Sequence, residues 1–279
     1  TAQELFFVVR PHDGGYIEEF DLTDKSYNVL NTLRRYKEGY HNKVKKATTE
    51  TNKGASIHDS IRAKEEGLEK LLNYDNQPRK TLHDHFISRS VTLEQFQKGN
   101  YFEESDFLKA NYDYEIDKRR RSILMKRDGW VNWQPFRVEK HLKFTRSKIL
   151  VTYTLKNKGN DNNSFRFGPE FNFAMLGGDS PDRYYQCDQI ELEKSALNSS
   201  AVDSDINSMA VVNEYDKFKI IVKSHSSAEF FRFPIETVSH SEDGFERVYQ
   251  SSVIVPFIFL EFQPGEQKEL KFELEVKRL

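Results

Sequence analysis

Alternation of apolar and polar residues is the dominant pattern of the chain from about residue 112 onward. In SKILVTYTLKNKG (147–159) and in ELKFELEVK (269–277), apolar side chains recur at every second position. A period of two predicts β-strands with one buried and one solvated face. Helix-length segments do not alternate with these strands, so we expect antiparallel packing of one sheet on another rather than a parallel βαβ plan.

The first 109 residues follow other patterns. ELFFVVRPHDGGYIEEFDL (4–22) has two strand-like runs around a Pro/Asp/Gly-Gly turn, which predicts a hairpin. Residues 23–109 are polar, with helix signals in NVLNTLRRY (28–36), SIRAKEEGLEKLL (60–72) and TLEQF (92–96), where Thr92 and Gln95 have capping-box spacing. The patterns predict a single all-β domain over residues 1–279 that contains a partly helical insertion at 23–109.

The segment SFRFGPEFNF (164–173) places four phenylalanines on one side of a strand and polar residues on the other. Burying such a face stabilises a sheet by several kcal/mol, at roughly 25 cal/mol per Å² of apolar area. EFFRFPIET (229–237) has a similar pattern. We expect Phe171 of the first segment and Phe233 of the second to point into the core between the two sheets.

The polar sides of these two segments carry charges at the same four-residue spacing, Arg166 with Glu170 and Arg232 with Glu236. We expect the four to share the face opposite the phenylalanines and to form cross-strand ion pairs. The alternative is a sugar-binding surface made by the same four residues together with Asn172.

Composition narrows the classes of partner. The 279 residues include 22 Phe and 13 Tyr, which favours half-buried pleated surfaces, and the 42 Lys and Arg nearly cancel the 44 Asp and Glu. A balanced charge disfavours binding to nucleic acid or to an anionic membrane. The single Cys187 excludes an internal disulfide, and no apolar run has the length of a membrane span. We expect a cytoplasmic protein, and the opening at Thr1 without an initiator Met is typical of a segment of something longer.

Five segments also carry a family resemblance. RPHDGGYIEEFDL, NVLNTLRRYKEGYH, HDHF, FRFGPEFNFAMLGGDSPDRYY and FRFPIETVSHSEDGFERVYQSSVIVP resemble the C-terminal domain of glycoside hydrolase family 57 α-amylases and 4-α-glucanotransferases. The resemblance spans nearly the whole chain. It implies an antiparallel β supersandwich similar to the galactose mutarotase fold, placed after a catalytic barrel that cleaves or transfers α-1,4-linked glucan with retention.

The catalytic residues of that family have no counterpart in this chain. Glycoside hydrolysis needs two carboxylates that flank one bond in a cleft, and the acids of this sequence form no recognisable pair. A Walker loop, a dinucleotide glycine fingerprint, a Cys-based zinc motif and a nucleophile elbow are also missing from the sequence. We therefore expect no catalysis by this chain alone and no required cofactor.

The implied fold leaves a second activity open, sugar epimerisation with His and Glu as base and acid. No His–Glu arrangement in the sequence marks that activity. HDH (83–85) alternates like a strand, and two His without a third spaced ligand are a weak metal signal. Hydrogen bonding in a loop or core is the other interpretation of this tripeptide.

DSDINSMAVVNE (203–214) has the spacing of a calcium loop. Its ligands would be Asp203, Asp205, Asn207 and Glu214, although Ser208 replaces the turn glycine of an EF-hand. A short Asp/Asn turn between strands is the competing interpretation.

Both tryptophans, Trp130 and Trp133, lie in DGWVNWQPF (128–136). Their broad rings are candidates for stacking on the apolar faces of pyranose rings. Three residues apart, they would point to opposite sides of a regular strand, so both face one ligand only if the segment bends. Burial of at least one in the core is therefore the competing expectation.

Together these observations predict a non-catalytic domain of an α-amylase or 4-α-glucanotransferase. Such a domain would stabilise the catalytic barrel and bind α-1,4-glucan or malto-oligosaccharide. The alternative is a free-standing carbohydrate-binding or sugar-epimerising protein of the same fold.

Overall fold

The computed structural model describes residues 4–50, 67–241 and 244–279. Within these ranges it has antiparallel strands throughout and two short α-helices, α1 His41–Glu50 and α2 Leu93–Gln97. The strands are β1 Leu5–Arg10, β2 Tyr16–Leu22, β3 Tyr27–Asn28, β4 His83–Ile87, β5 Asp113–Asp117, β6 Ser122–Val131, β7 Gln134–Phe144, β8 Lys148–Asn157, β9 Asn163–Phe173, β10 Arg183–Gln186, β11 Ala201–Asn213, β12 Phe218–Ser241, β13 Gly244–Phe262 and β14 Gln267–Arg278.

The predicted N-terminal hairpin is confirmed. β1 pairs antiparallel with β2, and the turn between them contains Gly14 at φ 79° and Gly15 at φ 65°. A Cβ on Gly14 would lie 2.2 Å from the backbone oxygen of Leu108, so glycine is required there by both backbone conformation and space. β3 completes a small three-stranded sheet.

The large sheet has the strand order β4-β9-β13-β12-β14-β8-β7-β6-β5, with β11 paired to β12 and β10 to β11. The predicted alternation is confirmed in β8, where every second side chain is buried, and in β14 as far as Leu274; Glu275, expected on the solvated face, is buried as well. Apolar residues of β6–β8 and of β9, β12 and β13 join one cluster, in which Tyr153 and Phe167 have ring centroids 4.9 Å apart. The sheet therefore folds over a common core as a β supersandwich.

The register of β9, β13 and β12 assigns their side chains to two faces. Arg232 is opposite Ile254, and Ile254 is opposite Phe171. Directly opposed residues of antiparallel strands point to the same side. We call this side, which carries the common core, the inner face, and the other side the outer face.

The expectation that Phe171 and Phe233 share one core is wrong. Phe171 lies on the inner face, whereas Phe233 is opposite Val253 and Val253 is opposite Asn172, on the outer face. The outer face has its own apolar cluster, in which Phe96 of α2 packs 5.9 Å from Phe233 between ring centroids. Both faces of this part of the sheet are buried, so an apolar side chain can be shielded from water on either face.

The region 23–109 combines helices with a strand of the main sheet. α2 begins at the predicted capping box, in which Thr92 and Gln95 bond reciprocally. SIRAKEEGLEKLL lies partly outside the described residues, and its end forms a 3₁₀ turn at Leu68–Leu71. The helix expected in NVLNTLRRY is wrong: residues 31–38 are irregular, because the backbone and guanidinium of Arg35 both bond the carboxylate of Asp75. Of the described helices, none is long and apolar enough to cross a membrane.

Candidate functional site

The two tryptophans lie at the tip of the β6–β7 hairpin. Asn132 and Trp133 form its two-residue turn with φ of 50° and 63°, the left-handed pair of a type I′ turn. Trp130 is 52% exposed and Trp133 is 83% exposed. The expectation that at least one tryptophan is buried is therefore wrong, because the turn bends the segment away from a regular strand.

The tip, which we call the tryptophan hairpin (Trp130–Trp133), is held by hydrogen bonds to neighbouring segments. The backbone N–H of Trp130 donates to Asp106 at 2.8 Å, and that of Asn132 donates to the oxygen of Glu104 at 2.8 Å. The side chain of Asn132 donates to Asn163 at the start of β9 at 2.7 Å. These bonds fix the backbone of the turn, so little backbone freedom is lost when a ligand binds to the two exposed indoles.

A second candidate is a buried ionic network on the outer face. β4 pairs with β9 so that His83 is opposite Glu170. The carboxylate of Glu170 accepts from Arg79 Nη1 at 3.0 Å, from His85 Nε2 at 3.1 Å and from Asn172 Nδ2 at 2.6 Å. The side chains of all of these residues are buried.

The network continues in both directions from Glu170. Arg79 Nε donates to Asp75 at 2.8 Å, and Asp75 also binds Arg35 at 2.7 Å. On the other side, His85 Nδ1 lies 3.2 Å from Glu103, whose second oxygen accepts the backbone N–H of Phe86 at 2.7 Å. We call this chain of alternating charges the outer-face network.

The charges of this network set the protonation states. Burial raises the pKa of Glu170, but the positive charge of Arg79 and the bond from His85 outweigh burial and hold the pKa at about 2. Burial lowers the pKa of His85, but its bonds to Glu103 and Glu170 prevail and raise the pKa to about 9. At neutral pH the pair is thus imidazolium and carboxylate. A group held so far from neutral pH is a poor general acid or base.

A separate buried ion pair lies on the inner face. Lys140 Nζ is 3.0 Å from both carboxylate oxygens of Asp84, and Tyr153 donates to the same carboxylate at 2.6 Å. Burial lowers the pKa of Lys140 and raises the pKa of Asp84. The pair joins the edge strand β4 to β7 through the common core.

The predicted cross-strand ion pairs between Arg166, Glu170, Arg232 and Glu236 are wrong, because both arginines bind other carboxylates. Arg166 binds Glu229 at 2.5 Å, and its guanidinium lies over the ring of Phe231. Arg232 Nε donates to Asp203 at 2.7 Å on the inner face, while Arg166 and Glu170 lie on the outer face. With one arginine on each face, the four predicted charges do not share a side.

Glu236 and Asn172 complete the polar residues proposed from the sequence. Glu236 follows a register shift in β12 and lies 3.7 Å from Arg247. Asn172 is buried, and its side chain also donates to the backbone oxygen of Lys80. A role of either residue in sugar binding stays a prediction.

Three of the proposed calcium ligands, Asp203, Asp205 and Asn207, lie along β11 rather than in a loop, and Glu214 directly follows the strand. The strand has register irregularities between Asp203 and Ser208, and Asp205 has φ 57°, so the expected turn is a bulge within one strand. Asp203 is engaged by Arg232, and Glu214 accepts from Tyr184 at 2.8 Å. Among the described residues no group of three or more His, Cys, Asp or Glu is placed to hold a metal ion.

The His85–Glu170 contact is the feature that sequence reasoning missed. No His–Glu arrangement was recognisable in the sequence, because β4 pairs with a strand about 80 residues away. The strand-like alternation of HDH was the available signal. It did not identify the partner strand.

In fold, the chain is a galactose mutarotase-like β supersandwich. The structure of a putative aldose 1-epimerase from Escherichia coli K12 matches it with a TM-score of 0.59 at 14% identity, over 99% of this chain and 97% of that one. The 4-alpha-glucanotransferase of Thermococcus litoralis matches with a TM-score of 0.73 at 24% identity, over 100% of this chain and 37% of that one.

Sequence comparison narrows this class to one family. Residues 1–274 match the family described as alpha-amylase/4-alpha-glucanotransferase, C-terminal, and the chain belongs to that family. It is 34% identical over 255 residues to Alpha-amylase 1 of Dictyoglomus thermophilum, which covers 91% of this chain and 36% of the relative. It is 28% identical over 283 residues to the 4-alpha-glucanotransferase of Thermococcus kodakarensis, and this match covers 99% of this chain and 38% of the relative. The chain thus spans little more than a third of the length of these relatives.

Proposed function

We propose that this chain is the supersandwich domain of a cytoplasmic α-glucan-processing enzyme, and that it binds α-1,4-glucan at the tryptophan hairpin. The family supports the substrate class, because the two relatives described above are named as an alpha-amylase and a 4-alpha-glucanotransferase. The observation that carries the binding site is the exposure of both indoles on an anchored turn. Indole faces bury a large apolar area when a sugar ring stacks on them.

Binding at this site should be weak. Few stacked rings and exposed hydrogen bonds must offset the ordering of a flexible oligosaccharide, which leads us to expect a Kd on the order of 0.1–1 mM. Such affinity suits a surface that holds a polymer near a catalytic domain, since many weak contacts add along one chain.

We propose that the chain itself is catalytically silent. Glu170 is the carboxylate to consider as a catalytic group, because it contacts His85. It is, however, buried, ionised and also bonded to Arg79. A free-standing epimerase would need an accessible base and acid that exchange protons near neutral pH. The pKa values of about 2 for Glu170 and about 9 for His85 argue against that alternative.

Intrinsic fluorescence tests the binding site directly, because the chain contains only two Trp. We expect maltoheptaose to change the emission of the wild type. Trp130→Phe leaves Trp133 as the sole indole reporter, and Trp133→Phe leaves Trp130, so the two variants identify which ring is contacted.

The loss-of-binding control uses another exposed aromatic residue. Trp130→Ala/Trp133→Ala should strongly weaken maltoheptaose binding in calorimetry, with little change in the urea midpoint. Tyr215→Ala, at a side chain that is 74% exposed, should leave binding intact. Unchanged affinity in the double Trp variant would refute the hairpin site, and reducing sugar released from starch by the chain, with loss of that activity in Glu170→Gln, would refute catalytic silence.

A further inference from the structure

A pocket of about 240 Å³ opens beside the outer-face network. Its lining includes Arg79, Tyr101, Phe102, Glu103 and Lys109. Glu103 forms a bridge with Ile87 at the end of β4, so the pocket wall is joined to the edge of the large sheet.

The polar groups that line the pocket are held in place by the network. Arg79 binds both Asp75 and Glu170, and the hydroxyl of Tyr101 lies 3.1 Å from His85 Nδ1. Glu103 is fixed by the N–H of Phe86. Groups that are already ordered lose little conformational freedom when a ligand arrives.

The charges on the pocket walls balance. Arg79 and Lys109 contribute two positive charges, and Asp75 and Glu103 contribute two negative charges. A phosphate or a metal ion needs an excess of one sign. The balance favours a neutral ligand rich in hydrogen-bonding groups.

Phe102 adds an apolar surface to this polar pocket. Its side chain is 63% exposed, which leaves a flat apolar ring open to solvent beside donors and acceptors. A sugar ring has the complementary pattern, an apolar face with hydroxyl groups at its edge. The volume lies below the roughly 300–1,000 Å³ of sites for drug-sized ligands and suits a single ring.

The pocket is also linked to the tryptophan hairpin. Ser105 bridges to Val131, and the oxygen of Glu104 accepts from Asn132 at 2.8 Å. The segment that carries Phe102 therefore continues directly into the support of the hairpin.

We propose that this pocket is a subsite for one glucosyl residue, with Phe102 as its stacking face. The ligand class, an α-glucan, rests on the proposed function, whereas the site is distinct from the hairpin. Maltose is the probe, because it fills a pocket of this size without spanning a long surface.

The experiment uses calorimetry with maltose in the Trp130→Ala/Trp133→Ala background, where the hairpin is disabled. Phe102→Leu keeps apolar volume but removes the ring, and should weaken maltose binding about tenfold. Phe102→Tyr keeps the ring and should stay within about twofold of its parent. Because Phe102 is largely exposed, both variants should unfold at the urea midpoint of the parent.

The outcomes separate this pocket from the hairpin. Maltose binding that survives Phe102→Leu unchanged would overturn the pocket. The pocket would also be refuted if the wild type binds maltoheptaose but the double Trp variant binds no maltose. All binding would then be at the hairpin. Phe102-dependent maltose binding without any response of the Trp fluorescence to maltoheptaose would support the pocket and refute the hairpin site.

Discussion

His85 and Glu170 are joined across adjacent strands by a 3.1 Å contact between Nε2 and Oε2, and both side chains are buried. The contact lies at the centre of a chain of opposite charges that extends to Arg79 on one side and Glu103 on the other. It binds the edge strand β4 and the preceding loop to the outer face of β9. The stability of that attachment should depend on pH in a predictable way.

The first prediction concerns alkaline pH. The pKa of His85 is raised in the folded state from 6.5 to about 9, so its contribution to stability is complete below pH 6.5 and is lost as pH rises through 9. In urea unfolding, the stability advantage of the wild type over His85→Gln should shrink across this window, by up to about 1.4 kcal/mol per pH unit. A constant difference from pH 6 to 10 would show that His85 does not titrate in this range.

Acid pH tests the partner carboxylate. The pKa of Glu170 falls on folding from 4.5 to about 2, so its contribution is present above pH 4.5 and is lost as pH falls towards 2. Glu170→Gln should therefore remove part of the acid sensitivity of the wild type between pH 4.5 and 2. Superimposable acid-denaturation slopes for the two proteins would contradict this assignment.

His83 and His85 provide a matched comparison on one strand. Both ring nitrogens of His83 are buried without a hydrogen-bond partner among the described residues, and its ring packs 4.4 Å from that of Tyr16. His83→Phe should leave the free energy of unfolding unchanged or raise it, because no bond is lost and two unsatisfied atoms are removed.

His85→Phe should instead cost about 1.5–3 kcal/mol, because Glu170 and Glu103 each lose a buried hydrogen-bond partner, while Arg79 still pairs with Glu170. Equal losses in the two variants would mean that His83 has a partner, such as a bound water. Chemical denaturation at neutral pH measures both.

The Lys140–Asp84 pair can be tested by a double-mutant cycle. Lys140→Met leaves the carboxylate of Asp84 buried without its counter-ion and should cost about 3–5 kcal/mol. Adding Asp84→Leu should restore much of that loss, because the uncompensated charge is removed as well. If the two losses simply add, the pair has no coupling and the contact is not formed in solution.

Phe171 and Phe233 test the assignment of two separate cores. Each is fully buried, so replacing either with Ala should cost about 3–5 kcal/mol. Because the two rings belong to different apolar clusters, the losses should add within about 0.5 kcal/mol in the double variant. A larger coupling energy in urea unfolding would mean that both rings share one core.

Local patterns in the sequence were sufficient for several elements. The period-two alternation of β8 and β14, the Gly-Gly turn of the first hairpin and the capping box of α2 all depend on contacts between residues close in the chain. For the same reason the alternation of Phe171 with Glu170 along β9 was predictable. Neighbouring side chains on a strand point to opposite sides whatever surrounds them.

Only the tertiary structure decided which residues cover each face of the sheet. Alternation does not distinguish an outer face that is solvated from one covered by α2, so Phe233 was assigned to the wrong core. The partners of Arg232 and Arg166 come from segments that local patterns do not relate to them.

The candidate sites likewise combine features that the sequence determined with features that only the tertiary structure decided. The sequence by itself determined the two tryptophans and the charges of β9 as candidates, since residue type limits chemistry. Exposure of both indoles required the left-handed turn at Asn132 and Trp133, and the His85–Glu170 contact required β4 to pair with β9. Those arrangements depend on packing between segments that are distant in the sequence. The free energy of that packing depends on the whole fold, so no short stretch of sequence carries a pattern that predicts it.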